Sequence, residues 1–181
     1  SLFQDSIGVL DELQKLNKEY VLLTNAPRPN LNVKNFLIKM GLEKFKSDKV
    51  YTSGEAALEY LESNWKNKKF FHIGPTRDFD LFKLYENNKV ENINDSDFLL
   101  CTGLFENYEE DLNYYESLFK NLNDKRMICT NPDLIVDRGD QKEFCAGSVA
   151  KSFEDMKGKV IYFGKPYPPV YNLSSETKNK K

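Results

Sequence analysis

A chain of 181 residues, 40% hydrophobic and 30% charged, has the size of one ordinary globular domain with enough apolar content for a core, which excludes wholesale disorder. Its 26 basic and 28 acidic residues leave a net charge of −2, against an electrostatic nucleic-acid binder. No apolar run approaches the ~20 residues needed to cross a bilayer, and no secretory leader is read ahead of the first helix. Cys101, Cys129 and Cys145 are odd in number and dispersed, which fits buried thiols in a cytoplasmic protein better than a disulfide framework or a zinc site.

Ile7, Leu10, Leu13 and Leu16 recur at helical spacing, and Tyr20-Val21-Leu22-Leu23 follows without polar alternation, as a parallel strand buried on both faces requires. It stops at Thr24-Asn25-Ala26-Pro27. A helix through Phe36, Leu37 and Met40 is closed by Gly41, and Lys49-Val50-Tyr51 reads as a short strand. Thr52 and Glu55 have capping-box spacing ahead of Ala57, Leu58, Leu61 and Trp65. Strands are predicted at 70–73, ending at Gly74-Pro75, then at 89–93, 98–101 and Met127-Ile128-Cys129. Helices are predicted through Leu112–Leu122 and over 148–156, with a hairpin about Arg138-Gly139-Asp140-Gln141 between them. Val160-Ile161-Tyr162-Phe163 runs into Gly164-Lys165-Pro166, and the residues from Ser174 read as a polar, lysine-rich tail. The expected organisation is α/β, with one unit over 1–66, a second over 67–146, and a return toward the first over 147–181.

Thr24 and Asn25, beyond the carboxyl end of an apolar strand, stand where open α/β sheets bind ligands, and both can donate to phosphate oxygens; ordinary turn chemistry accounts for the pair equally well. Lys165 presents a point charge between a glycine and a proline. Asn131-Pro132-Asp133 is an Asx-Pro turn whose acid reaches a cleft only if the topology puts it there. The pairs Asp78-Phe79-Asp80 and Asp95-Ser96-Asp97 end no hydrophobic strand and read as turn and helix-start acids. His72, the single histidine, lies inside an apolar strand and reads as a core hydrogen-bonding residue, since no Ser or Cys motif completes a triad. No glycine-rich nucleotide fingerprint occurs.

In order, Val21-Leu22-Leu23-Thr24-Asn25-Ala26-Pro27-Arg28, Tyr51-Thr52-Ser53-Gly54-Glu55-Ala56, His72-Ile73-Gly74-Pro75, Cys129-Thr130-Asn131-Pro132-Asp133, Cys145-Ala146-Gly147-Ser148 and Tyr162-Phe163-Gly164-Lys165-Pro166 resemble the haloacid dehalogenase-like (HAD) hydrolases of class IIA, the NagD-like phosphatases. The resemblance implies a Rossmann-like core of parallel strands with an inserted α/β cap of type C2. It implies phosphomonoester hydrolysis through an aspartyl phosphate, with Mg²⁺ balancing charge. Thr24 and Lys165 then stabilise the phosphoryl group. Asn25, Arg28 and Asp133 fall on the substrate side, and a small phosphorylated metabolite is the partner; neither nucleic acid nor membrane is.

The family's D-x-D-G strand, which supplies the nucleophile, should precede Ser1-Leu2-Phe3, and its G-D metal motif should follow Lys181; neither is in this sequence, which does not begin with methionine. The sequence therefore predicts a partial core without metal ligands, the middle of a larger phosphatase and inactive alone. A bare sheet edge prone to self-association or homodimerisation is expected with it. The alternative is a non-catalytic relative that binds a ligand or another protein.

Overall fold

The computed structural model describes residues 2–108 and 111–178. Helix α1 (Gln4–Lys15) leads to strand β1 (Leu22–Thr24), helix α2 (Asn30–Lys39), the single turn α3 (Lys44–Ser47) and strand β2 (Val50–Thr52). β1 and β2 pair in parallel with Thr24 opposite Thr52, so both strands end at one rim. Gly41 stops α2 with φ +101°, and Leu42 N donates back to Leu37 O, the hydrogen-bonded ending that a left-handed glycine permits. Lys46 of α3 is buried and paired with Asp11 of α1 and with Glu43, the partners a buried ammonium needs.

Helix α4 (Ser53–Asn64) starts at the expected cap, where Thr52 Oγ1 accepts from Glu55 N at 3.0 Å. The reciprocal bond of a capping box is replaced by a relay. Glu55 Oε2 accepts from Asn30 N at 3.0 Å, and Asn30 Oδ1 accepts from Thr52 N at 2.8 Å. These side chains lash the turn after β1 to the start of α4.

The rest of the chain builds β3 (Phe70–Ile73), β4 (Phe98–Cys101), α5 (Leu112–Leu118), β5 (Arg126–Cys129), the hairpin β6 (Ile135–Arg138) and β7 (Gln141–Phe144), α6 (Ala146–Asp155), β8 (Lys159–Tyr162) and α7 (Pro168–Lys178). β3, β4, β5 and β8 form a parallel sheet in that order. Its strands carry unbroken apolar runs because both faces are covered. On one face Tyr115, Phe119, Val149 and Phe153 pack against Leu99 and Met127; on the other Ala57, Leu61, Phe82 and Val170 pack against Phe70, Leu100 and Ile128.

The packing runs across the expected boundaries at 67 and 147. Helix α4 lies on the back of the four-stranded sheet, and β8 is that sheet's fourth strand, paired with β5 through Ile128 and Ile161. The chain leaves this larger unit after Tyr162, not at Gly147. The apolar stripe Ala146, Val149, Ala150 and Phe153 holds α6 on the sheet and carries β8 in beside β5. The strand expected at 89–93 is also absent. Lys89 makes one isolated bridge to Phe70, then Asn92 Oδ1 accepts from Asn94 N at 3.0 Å and curls residues 93–95 into a 3-10 turn. The tail expected from Ser174 continues α7 to Lys178, with Val170 buried and Leu173 packed against the same core; its last three residues lie outside the described ones.

The smaller unit is open. Among the described residues β1 pairs only with β2, α1 and α2 bury no side chain fully, and Phe3, Val9, Leu16, Leu31 and Phe36 are 59–80% exposed. No helix among the described residues is long and apolar enough to cross a membrane.

Candidate functional site

Three separated segments meet at the carboxyl end of β1. Thr24 Oγ1 accepts from Ala26 N at 3.3 Å, which leaves the hydroxyl hydrogen to donate elsewhere. Asn25 Nδ2 donates to Asp133 Oδ1 at 2.8 Å and to the Lys165 carbonyl at 3.0 Å, while its Oδ1 accepts from Lys165 N at 2.6 Å. One carboxamide thus pins both the Asn131-Pro132-Asp133 turn and the Gly164-Lys165 segment to the strand end. Two glycines admit this approach. At Gly164, with φ +132°, a Cβ would run into Pro132 Cδ and stand 2.8 Å from Asn25 Oδ1; at Gly147 it would run into the Pro132 carbonyl.

Lys165 Nζ makes no hydrogen bond or ion pair to any described residue, and its side chain is exposed, so its charge is available to an anion. Asn25 and Asp133, expected on the substrate side, bond to each other. Both amide hydrogens of Asn25 are engaged, so donating to a phosphate would require giving one up; in this geometry it is a clamp. Asp133 is its acceptor. Arg28, on the same turn, stands with Nε 3.8 Å from Asp78 Oδ1, while its carbonyl accepts from Thr52 Oγ1 at 2.6 Å.

Beside the clamp lies a cleft of about 700 Å³, lined by Pro27, Arg28, Pro75, Asp78, Thr102 and Asn131 and roofed by Val136, Lys142 and Phe144 of the hairpin. That volume is in the range of small-molecule sites. Asp78, read from sequence as a helix-start acid, is indeed in the first turn of a 3-10 segment (Thr76–Asn88), but it is buried at the cleft wall. Burial raises its pKa, and the Arg28 and Arg77 guanidiniums oppose the rise. Sequence periodicity missed Arg77 and Thr102 and gave the expected hairpin no part in a site, because nothing local marks a residue that becomes cleft wall only when the strands assemble. Thr76-Arg77-Asp78 directly after Gly74-Pro75 was the one available signal.

His72 is buried beneath the cleft, with Nε2 2.8 Å from Thr102 Oγ1. Burial, aided by the nearby Lys89 charge, lowers its pKa to about 4, so it is neutral at neutral pH and orients Thr102. Burial likewise pushes the Cys101 thiol well up and Cys129 to about 12, which leaves no thiolate nucleophile at either. Among the described residues no group of three or more His, Cys, Asp or Glu side chains could hold a metal ion.

The clamp can be tested by a near-isosteric change. Asn25→Asp removes both donors and sets a carboxylate against Asp133, so a loss of ~2 kcal/mol at neutral pH is expected. Urea unfolding at about pH 7 and about pH 4 checks it: the deficit narrows as the introduced carboxylate protonates. A deficit independent of pH would show that repulsion with Asp133 is not its source.

The family model for haloacid dehalogenase-like hydrolases matches residues 1–86. A haloacid dehalogenase-like family hydrolase from Brucella suis 1330 superposes with a TM-score of 0.85 over 99% of this chain and 69% of its own, at 27% identity. Its first 86 residues match this family's model, and its whole length takes the fold of a family member. It is also similar, at 25% identity and TM-score 0.74 in each case, to a putative NagD protein and a 4-nitrophenylphosphatase from Thermotoga maritima. All of this chain aligns in both, covering 71% and 69% of their lengths. No curated protein matches the sequence. Family model and clamp meet on Thr24 and Asn25, which lie inside the matched segment; Asp133 and Lys165 lie outside it and come to the site through the fold.

Proposed function

We propose that residues 1–181 carry the phosphate-holding end and the substrate-enclosing cap of a class IIA, NagD-like phosphomonoesterase. The observation that carries this reading is the convergence of Thr24 and the Lys165 backbone on one strand end, held there by Asn25, with the Lys165 ammonium unpaired among the described residues. The Thr24 hydroxyl donates to a phosphoryl oxygen, and Lys165 neutralises charge that grows in the transition state. The four-stranded unit with its hairpin is the cap, which encloses the ester and keeps water out. The reaction is attack of an aspartate oxygen on phosphorus with cleavage of the ester P–O bond, then hydrolysis of the aspartyl phosphate by water.

That aspartate is not among residues 1–181, where no apolar strand ends in D-x-D. Nor do the residues present fit Mg²⁺. The carboxylate at the clamp, Asp133, already accepts from Asn25, and among the described residues no group of three or more His, Cys, Asp or Glu side chains could hold the ion. The chemistry derived from this chain stops at holding, neutralising and enclosing the phosphate.

Hydrolysis of p-nitrophenyl phosphate tests the reading. Residues 1–181 are expected to give none. A chain that also carries a D-x-D-G strand ahead of residue 1 and a G-D strand after residue 181 is expected to turn it over with Mg²⁺, and Lys165→Ala in that chain to lower kcat by about 10²–10³. Full activity in the Lys165→Ala variant would refute the role of the ammonium.

The exposed Phe3, Val9, Leu16, Leu31 and Phe36 favour a second reading, a non-catalytic interaction module that pairs through the open edge of β1. A discrete dimer by light scattering, with no phosphate binding, would support it over the first.

A further inference from the structure

Two of the chain's four arginines come from distant segments to one wall of the cleft. Arg28 belongs to the turn after β1 and Arg77 to the start of the 3-10 segment after β3. Asp78 explains why they meet. Its carboxylate is buried, it lies 3.8 Å from Arg28 Nε, and both guanidiniums stabilise its charge. Yet Asp78 does not saturate them. Beyond that 3.8 Å contact neither guanidinium has a hydrogen bond or ion pair to any described residue, and both line the large cleft and a recess of about 230 Å³ next to it.

The other charged side chains lining the cleft are Lys142 and Glu143, which offset each other, so its balance with Arg28, Arg77 and Asp78 is one positive charge. This charge is separate from Lys165, which does not line the cleft wall described. A phosphate monoester whose remainder is neutral would leave Arg77, and Arg28 beyond its single 3.8 Å contact with Asp78, without a further partner among the described residues. Planar forks match a carboxylate or a second phosphate, which accept two parallel hydrogen bonds.

We infer that the substrate is a phosphate monoester bearing a second oxyanion, read by Arg28 and Arg77. This rests on the phosphatase reading, since the first phosphate is the one at Thr24 and Lys165.

Equilibrium binding of three probes to the chain tests it: glycerol 3-phosphate, 3-phosphoglycerate, which has a carboxylate in place of the terminal hydroxymethyl, and 1,3-propanediol bisphosphate. At least one of the two probes with a second anionic group is expected to bind about tenfold tighter than glycerol 3-phosphate, and which one does so identifies the second oxyanion. Arg28→Gln and Arg77→Gln are each expected to bring that affinity ratio toward one; two variants on different segments guard against a single folding defect. Equal affinities for all three probes, or a ratio that survives both substitutions, overturns the second-oxyanion site alone. Failure of every probe to bind overturns the phosphate reading, and this inference with it.

Discussion

The Gly164→Ala chain is expected to be ~2–4 kcal/mol less stable than the parent, the largest loss for any single methyl in the site. Two costs combine there. The backbone at φ +132° strains any L side chain, and the added Cβ would collide with Pro132 Cδ and crowd Asn25 Oδ1 at 2.8 Å. Neither neighbour yields easily: Pro132 is buried, and Asn25 is held by Asp133 and Lys165. Relief would require the Gly164-Lys165 segment to swing off the strand end, taking the ammonium with it. Gly139→Ala separates the two costs, because that hairpin glycine also has positive φ, +63°, but nothing within 4 Å of the added methyl. It is expected to lose only ~1 kcal/mol. Urea midpoints of the two variants check this; equal losses would mean that the contact with Pro132 and Asn25 carries no weight.

The second large effect is a pH dependence centred on His72. An unfolded histidine takes up its proton near pH 6.5, whereas folded His72 stays neutral until about pH 4. As pH falls through that window the unfolded state binds the extra proton, so stability present above pH 6.5 is lost progressively and the loss levels off below about 4. Between about pH 7 and about pH 4.5 this one side chain is expected to remove ~2–3 kcal/mol. His72→Gln retains a group able to bond Thr102 but cannot titrate. The difference between parent and variant unfolding free energies should therefore shift in the variant's favour by that amount on acidification. Parallel pH profiles would show that burial does not hold the imidazole neutral.

What the sequence made legible follows the range over which each feature is decided. The unalternated runs at 70–73, 98–101 and 127–129 are parallel strands buried on both faces, and Gly41 ends its helix with positive φ. Those features depend on a few consecutive residues. The seam at 147 did not, because α6 and β8 have the same local pattern whether β8 joins β1 or β5, and only the packing of Val149 and Phe153 on the sheet decides it. At the site, Thr24, Asn25, Asp133 and Lys165 were legible as types in a motif order. That Asn25 is the clamp was not, since its two partners, joined by three hydrogen bonds, come from 108 and 140 residues away. Asp78 was read as a turn acid for the same reason: its burial and its arginine neighbour exist only after assembly.

The central claim is that the end of β1, closed by Lys165, holds phosphate. Titrating the isotope-labelled chain with inorganic phosphate and following its amide and lysine side-chain resonances tests that claim most directly. Saturable shifts are expected at residues 24–26, at Gly164 and at the Lys165 ammonium, with affinity lowered about tenfold in Lys165→Ala. Saturation that leaves those resonances unmoved, or an affinity unchanged by Lys165→Ala, would contradict it.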